Sequence, residues 1–253
     1  MVRVAGLAHA DALWTARTST KIRDAYASLY GDDDLLSSFD GASALLSETP
    51  RRPRPFRAAS LHTDGNADAR AVQGMLLLTD QNASTGGFIV VPGSHARHDA
   101  LVARHGGRNG GSWLMPLPND DPALLDLDRV LVEANAGDLV LWDARVAHAV
   151  HAPLKGAARP SPWDKAKVAR LAVYVCMAPA ANATEDVLGN RLDAAKRGLG
   201  TGHWPARRNT VPDPAPVPGY GRSPPRAFSR AELELVAGRA RAHDLLLSRR
   251  LYL

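Results

Sequence analysis

Short apolar runs separated by turn residues fill the middle of the chain, and they restrict its fold more than any other feature. Each run is rich in Val, Leu and Ile, and most are bounded by Gly, Pro, Asn or Asp, a composition typical of β-strands. Many short strands at turn-marked intervals predict an antiparallel sandwich or barrel. The runs cover residues 72–78, 88–91, 130–132, 139–142 and 171–177.

Helical signals lie mainly outside this β region. Ile22 and Tyr26 belong to an apolar face with helical spacing, and Gly31 follows it as a C-terminal stop. Near the other end of the chain, Ser229 and Glu232 have the spacing of a capping box, which predicts a helix that begins there. Two more helices are predicted over residues 96–105 and 184–197.

The 253 residues are predicted to form one domain, since β-barrels of this length often fold as a single unit. Residues 1–57 would support a β core over 58–179, and residues 180–253 would form a helical and proline-rich extension. The proline-dense segment 200–225 is expected to be an extended strap or loop, because proline interrupts regular structure.

The charge and cysteine content exclude several classes of protein. The net charge of +5 comes from arginine, since only five of the 31 basic residues are Lys, and the arginines form no single basic stripe. This distribution disfavours a nucleic-acid partner. No apolar run approaches the ~18 residues of a membrane span and no signal peptide is evident, so we expect a cytoplasmic protein. A single cysteine, Cys176, excludes an internal disulfide and predicts no zinc site built on cysteines.

The first chemically informative residues are His62, Thr63 and Asp64. Residues i and i+2 of a strand point to the same face, so His62 and Asp64 can converge on one ion while Thr63 points away. An imidazole and a carboxylate together suit a metal such as iron(II). On its own the tripeptide is weak evidence, because it occurs by chance in many proteins.

Three further segments follow the tripeptide. They are a glycine-led apolar run that ends in Pro-Gly-Ser-His at 92–95, a Gly-Asp segment that ends at His148, and a strand that contains Arg170. In this combination the sequence resembles the phytanoyl-CoA dioxygenase (PhyH-like) family of iron(II)/2-oxoglutarate-dependent oxygenases over residues 58–179. The resemblance implies a mainly β fold with flanking helices and a double-stranded β-helix (jelly-roll, cupin-like) core.

The resemblance also implies that His62, Asp64 and His148 are the catalytic metal ligands. Two histidines and one carboxylate on one face of an octahedron leave open positions for 2-oxoglutarate and O₂. The implied enzyme is a dioxygenase that hydroxylates an unactivated C–H bond with release of succinate and CO₂. Asp64 favours hydroxylation over halogenation, since relatives with a small residue there can admit halide. His151 is a rival for the distal ligand, but His148 closes the family motif.

An arginine is implied as the partner of the far carboxylate of 2-oxoglutarate. Arg170 precedes an apolar, β-branched run, as the family's arginine does, and is the preferred candidate. Family spacing favours Arg159 instead, although the Pro-Ser-Pro that follows it cannot continue a central strand. Gln73 lies on the strand that lines the cofactor pocket in relatives, and it either contacts 2-oxoglutarate or substrate or faces outward.

Substrate contacts are expected from loops at the mouth of the core, which transfer least between relatives. The candidate substrate residues are Arg108, Trp113, Arg145 and Trp204. No long run of loop aliphatics indicates an acyl-thioester pocket, so the expected substrate is a small polar metabolite, an amino acid or a natural-product intermediate. The alternatives are a non-catalytic jelly-roll protein that binds a metabolite and an Arg/Pro-rich protein associated with nucleic acid. The sequence carries no signal for an oligomeric state.

Overall fold

A computed structural model describes residues 7–46, 61–64, 71–105, 114–153, 168–207 and 228–247, apart from the side chains of Leu46, Asp64 and residues 244–247. Arg108, Trp113 and Arg159 lie outside these ranges, as does most of the proline-dense segment. Within the described ranges, no helix has both the length and the apolar character needed to cross a membrane.

The helices confirm most of the helical predictions. The N-terminal helix α2 ends where Gly31 adopts a left-handed conformation (φ 67°). At the start of α5 the capping box is complete, because Ser229 Oγ accepts the N–H of Glu232 and the Glu232 carboxylate accepts the N–H of Ser229. Gly238 (φ 79°) divides the predicted C-terminal helix into two. The helices are α1 (Asp11–Thr18), α2 (Thr20–Tyr30), α3 (His98–His105), α4 (Glu185–Lys196), α5 (Arg230–Ala237) and α6 (Arg239–Leu247).

Each of the five apolar runs overlaps a strand, and the run at 171–177 overlaps two. The strands are β1 (Leu35–Ser37), β2 (Ala42–Leu46), β3 (His62–Asp64), β4 (Val72–Leu77), β5 (Gly87–Val90), β6 (Leu114–Pro116), β7 (Val130–Leu131), β8 (Leu139–Asp143), β9 (His148–His151), β10 (Val168–Tyr174) and β11 (Met177–Pro179). Five of them, β1, β2, β3, β6 and β9, lie outside the predicted runs, although the prediction for His62 and Asp64 had assumed a strand at β3.

The strand order confirms the jelly roll. A four-stranded sheet has the order β2-β10-β4-β8, a five-stranded sheet has the order β6-β3-β9-β5-β7, and β1 pairs with β11. The late strand β10 lies between β2 and β4, and the late strand β9 lies between β3 and β5. This insertion of late strands between early ones, in two sheets, is the Greek-key order of a jelly roll.

The chain divides into two compact units. The first comprises Met1–Ser43, Gln73–Leu76 and Val173–Leu253, and the second comprises Ala44–Val72 and Leu77–Ala172. In the second unit, α3 and the segments that follow it bury apolar side chains against the five-stranded sheet. These side chains are Leu61, Val91, Leu101, Met115, Leu117, Leu124, Ala147 and Ala149.

A buried arginine in α4 fixes several main-chain segments of the first unit. The Arg191 guanidinium donates to the carbonyl oxygens of Ser37 (2.7 Å), Pro205 (2.9 Å), Leu235 (2.9 Å) and Val236 (2.8 Å). Burial lowers the pKa of Arg191 to about 9, so the side chain remains charged at neutral pH. One side chain thereby satisfies main-chain acceptors at the end of β1, after α4 and in α5.

Candidate functional site

His62 and His148 lie side by side on neighbouring strands of the five-stranded sheet. β3 pairs antiparallel with β9, and the register places His62 opposite His148. Directly opposed residues project their side chains from the same face, and here the imidazole centroids are 4.3 Å apart with an interplanar angle of 58°. His148 is buried and His62 is half-buried. The structure therefore brings together two of the three residues predicted to bind the metal.

The main chain orients the His148 ring. Nδ1 of His148 lies 2.8 Å from the carbonyl oxygen of Val146. Because a carbonyl can only accept, Nδ1 carries the proton and donates it. In the neutral ring Nε2 is then the nitrogen with a lone pair, which is the arrangement usually found in histidines that bind metals.

The third predicted ligand, Asp64, ends β3, and its main chain pairs with β6. Its side chain lies outside the described part of the structure, so its place among the ligands stays a prediction. His62 and Asp64 are the first and last residues of this three-residue strand. Thr63 between them is fully buried, and its hydroxyl donates to the carbonyl oxygen of Arg145 at 2.8 Å. This bond ties β3 to the turn that leads into His148.

The Pro-Gly-Ser-His segment holds the residue that precedes His148. Ser94 is buried, and its Oγ accepts the N–H of Ala147 at 2.8 Å. The N–H of Val91 donates to the Ala147 carbonyl at 2.9 Å. Gly93 has a φ of 85°, a backbone conformation that residues with a side chain rarely adopt, and this explains why the motif has a glycine at this position. Both main-chain groups of Ala147 are fixed by this segment.

His151 ends β9 three residues after His148 and therefore projects from the opposite face of the strand. Its Nδ1 contacts the carbonyl oxygen of Ala152 at 2.7 Å. The main chain here passes so close to Gly86 (φ 68°) that a Cβ on this glycine would lie 2.5 Å from the Ala152 carbonyl carbon. The observed register favours His148 over His151 as the partner of His62.

Two aromatic side chains flank His148. The ring centroids of Phe88 and Trp142 lie 4.5 Å apart, and they lie 5.5 Å and 5.7 Å from the centroid of His148. Both aromatic residues are buried. The Trp142 Nε1–H is also buried, and it makes no hydrogen bond within the described residues. Since buried donors nearly always have an acceptor, this N–H is suited to an oxygen of a bound ligand.

A buried glutamine connects Arg170 to this aromatic wall. Arg170 on β10 is fully buried, and its Nε donates to Oε1 of Gln81 at 2.5 Å. The same oxygen accepts the N–H of Phe88 at 3.0 Å, while Nε2 of Gln81 donates to the Val132 carbonyl at 2.6 Å. Gln81 thus joins the preferred 2-oxoglutarate arginine to the strand whose Phe88 ring packs beside His148.

The remaining predicted contacts have other surroundings. Gln73 is buried and belongs to the first unit. Half-buried Arg145 forms a fork with Asp143, with Nε 3.0 Å from Oδ1 and Nη2 2.6 Å from Oδ2. Trp204 is buried in the first unit, and the Arg207 guanidinium lies 4.8 Å from the centre of its ring. The binding roles of Gln73, Arg145 and Trp204 stay predictions.

Sequence reasoning missed the supporting roles of Thr63, Ser94 and Gln81. Each acts through a hydrogen bond to the main chain or side chain of a residue distant in sequence. Isolated polar residues next to turns have no periodic pattern that separates them from solvated loop residues. Thr63 and Ser94 each carried one signal, a position inside a motif, whereas Gln81 carried none.

Comparison with known proteins agrees with the geometry. Residues 56–160 match the family model described as phytanoyl-CoA dioxygenase (PhyH). The chain is also similar to Ava biosynthesis cluster protein O of Aspergillus versicolor, with 30% identity over 216 residues that cover 80% of this chain. It spans 65% of the length of that relative.

Solved structures with similar folds include two enzymes. One is the epimerase SnoN in complex with Fe³⁺, alpha ketoglutarate and nogalamycin RO, at 20% identity and a TM-score of 0.46 over 68% of this chain and 60% of that chain. The other is the non-heme monooxygenase ThoJ in its apo form, at 20% identity and a TM-score of 0.41 over 64% of this chain and 53% of that chain. At this level of similarity neither structure specifies the reaction of this chain.

Proposed function

Because residues 56–160 belong to the phytanoyl-CoA dioxygenase family, we propose that the chain is an iron(II)/2-oxoglutarate-dependent dioxygenase. The observation that carries the proposal is the pairing of His62 with His148 across β3 and β9. Two imidazoles on one face of a sheet, with a carboxylate two residues from one of them, are the ligand set of such a site.

His62, Asp64 and His148 would hold the iron, and the described residues fit this role. The hydrogen bond from His148 Nδ1 to Val146 leaves Nε2 to bind a metal. The rings of His62 and His148 are adjacent, and one of them is buried. When bound, iron(II) with 2-oxoglutarate and O₂ supplies the oxidant for a C–H bond, with release of succinate and CO₂.

Arg170 supplies a buried positive charge for the distal carboxylate of 2-oxoglutarate. A guanidinium binds a carboxylate through two parallel hydrogen bonds, which orient the anion as well as attract it. Gln81 holds Nε of Arg170 and so fixes the plane of the guanidinium. Burial of this charge strengthens its attraction for an anion, because the local dielectric constant is lower than that of water.

Phe88 and Trp142 exclude water from one side of His148, and Trp142 adds a hydrogen-bond donor. The buried Trp142 Nε1–H would donate to an oxygen of 2-oxoglutarate or of the substrate. An apolar wall beside the metal ligands also limits unproductive reactions with solvent. These side chains position and shield the reactants.

The proposed reaction is hydroxylation of a natural-product intermediate or another small polar metabolite. The carboxylate of Asp64 as the third ligand supports hydroxylation over halogenation. The name of the Aspergillus versicolor relative, a protein of a biosynthesis cluster, supports a natural-product intermediate as the substrate. Arg145, Arg108, Trp113 and Trp204 remain the candidate substrate contacts.

Anaerobic addition of iron(II) and 2-oxoglutarate tests the binding site. We expect a visible metal-to-ligand charge-transfer band with the wild-type chain, and loss of that band in His62→Ala and His148→Ala. His151→Ala is the matched control and should retain the band, because His151 projects from the opposite face of β9. A band that survives in His62→Ala would contradict the assignment.

Substrate-dependent release of succinate tests the reaction. A panel of small polar metabolites and natural-product intermediates should contain compounds that accelerate succinate release and gain one oxygen atom. A non-catalytic binding protein would instead bind a compound while succinate release stays at the background level. A mobility-shift measurement with duplex DNA is expected to show no complex at physiological salt.

A further inference from the structure

Three potential metal ligands converge in the first unit, apart from the histidine pair. Asp40 follows β1, Cys176 lies between β10 and β11, and His203 lies in a turn after α4. One carboxylate oxygen, the thiol sulfur and one ring nitrogen of these residues all lie within 4.8 Å of one another. Residues so distant in sequence come together only through the fold of this unit.

Neighbouring groups hold two of these residues in place. Asp40 Oδ1 accepts the N–H of Gly41 at 2.8 Å, and the Asp40 carbonyl accepts Arg17 Nη2 at 2.8 Å. The N–H of Cys176 donates to Ser38 Oγ at 3.1 Å. Both ligand-bearing residues are buried, so their donor atoms have little freedom to turn away.

His203 completes the cluster from the more open side. Its ring packs edge-on against Tyr174 with the centroids 5.6 Å apart, and its side chain is 27% exposed. Asp40 Oδ2 is in ion-pair contact with His203 Nδ1. Within the described residues neither atom makes a hydrogen bond of acceptable geometry, although both are buried. The two atoms are thus in contact with each other, but not in the geometry of a hydrogen bond.

We propose that Asp40, Cys176 and His203 form a second metal site, which binds a divalent ion of the zinc type. Thiolate, imidazole and carboxylate are the three classes of ligand that zinc takes in proteins. Three protein ligands leave a fourth tetrahedral position for a water molecule or another ligand. This site goes beyond the proposed dioxygenase, since it shares no residue with the iron ligands.

The ligand types also determine how binding would depend on protons. Cysteine binds a metal ion as the thiolate and histidine as the neutral imidazole, so metal binding at a site of this kind competes with protons.

Titration with cobalt(II), a spectroscopic stand-in for zinc, tests the proposal. We expect the full-length chain to develop a thiolate-to-cobalt charge-transfer band in the near ultraviolet, and zinc(II) should remove it by displacement. Because the chain has one cysteine, the band reports on Cys176 alone. The band should persist in His62→Ala, since the iron site contains no sulfur, and this separates the two sites.

Substitutions then separate a metal site from a structural ion pair. Cys176→Ser should lose the band, and His203→Gln should weaken cobalt binding at this site by more than about tenfold, since even outer-shell partners of metal ligands cost about 10–100-fold. His243→Gln, an exposed imidazole of the same unit, is the matched control and should bind as the wild type does. Zinc(II) should raise the melting temperature of the wild-type chain and leave that of Cys176→Ser unchanged.

A folded wild-type chain that takes up cobalt(II) without a thiolate band would overturn the proposal. So would a zinc-induced rise in melting temperature that is equal in the wild type and in Cys176→Ser. In either case the cluster serves only to join the loop at Asp40 to the turn at His203.

Discussion

The Gln81 amide links three segments of the second unit. In its hydrogen bond with Arg170 the donor is the charged guanidinium and the acceptor is the Gln81 carbonyl oxygen. We predict that Gln81→Met weakens 2-oxoglutarate binding about tenfold, equivalent to about 1.4 kcal/mol, because Arg170 loses the acceptor that orients it. Titration of the anaerobic charge-transfer band with 2-oxoglutarate measures this change. An affinity for iron(II) that falls in parallel would indicate general damage to the site.

Substitution of the two candidate arginines should have different effects on 2-oxoglutarate binding. Arg170→Ala should weaken 2-oxoglutarate binding by at least about tenfold, because a buried charge-assisted hydrogen bond contributes about 1.5–3 kcal/mol. Arg159→Ala should leave the binding constant unchanged, and isothermal titration can compare the two. The reverse result would assign the carboxylate of 2-oxoglutarate to Arg159 instead of Arg170.

At the residue scale, the sequence supplied candidate metal ligands, which stay a prediction, but not the residues that support them. His62 and Asp64 could be predicted because strand alternation and a known ligand chemistry both act on neighbouring positions. The supporting role of Gln81 could not be predicted, because it depends on Arg170, Phe88 and Val132, which approach Gln81 only in the folded sheet.

Among the elements, α5 depends on its capping box. Ser229→Ala should lower the free energy of unfolding by about 1 kcal/mol, because the first turn loses the acceptor for the Glu232 N–H. Urea denaturation followed by circular dichroism measures the change. Ser229→Asp supplies another good N-cap and should be close to the wild type. Equal losses in both variants would mean that the hydroxyl contributes in another way.

Arg191 joins α4 to α5 and to the end of β1, so its loss should affect more than one element. Arg191→Met should lower the free energy of unfolding by about 3–5 kcal/mol, since four buried carbonyl groups lose their donor. Arg191→Lys keeps the charge but lacks the planar fork, and it should fall between Met and the wild type. Chemical denaturation measures this change, and a free energy of unfolding of Arg191→Met equal to that of the wild type would contradict the prediction.

The elements that could not be predicted are short or depend on tertiary contacts. β1 and β6 each have three residues, too few for a period of two to emerge, and β1 forms only through its pairing with β11. The strands β4, β8 and β10 are longer and apolar, and they were predicted. The jelly-roll order followed from the family resemblance, since apolar runs alone specify strands and not their partners.

For the whole molecule, one buried carboxylate should govern part of its stability in acid. Burial alone would raise the pKa of Asp121, but the hydrogen bond from His105, the N–H of Ala123 and the charge of Arg104 outweigh it and lower the pKa below 3.8. The unfolded chain then takes up this proton at a higher pH than the folded one. The stabilisation is therefore present above the ordinary pKa and is lost as the pH falls through the folded pKa.

Asp121→Asn should accordingly destabilise the chain at neutral pH and matter less in strong acid. Urea denaturation at about pH 7 and about pH 3 should show a difference between variant and wild type that shrinks at the lower pH. Asp128→Asn, a nearby carboxylate on the same loop, is the control and should change neither value. A difference that is constant with pH would assign the effect of Asp121 to packing.

The register that sets His62 against His148 also has a consequence for biogenesis. During translation His62 leaves the ribosome long before β9 and β10 are made, and no early fragment contains both imidazoles. If these residues hold iron, as proposed, the complete set of ligands exists only after β9 has inserted between β3 and β5. Before β9 is inserted, β3 and β5 each have an edge without a partner strand. A chain that is translated slowly spends longer in this state, in which it is most prone to aggregate.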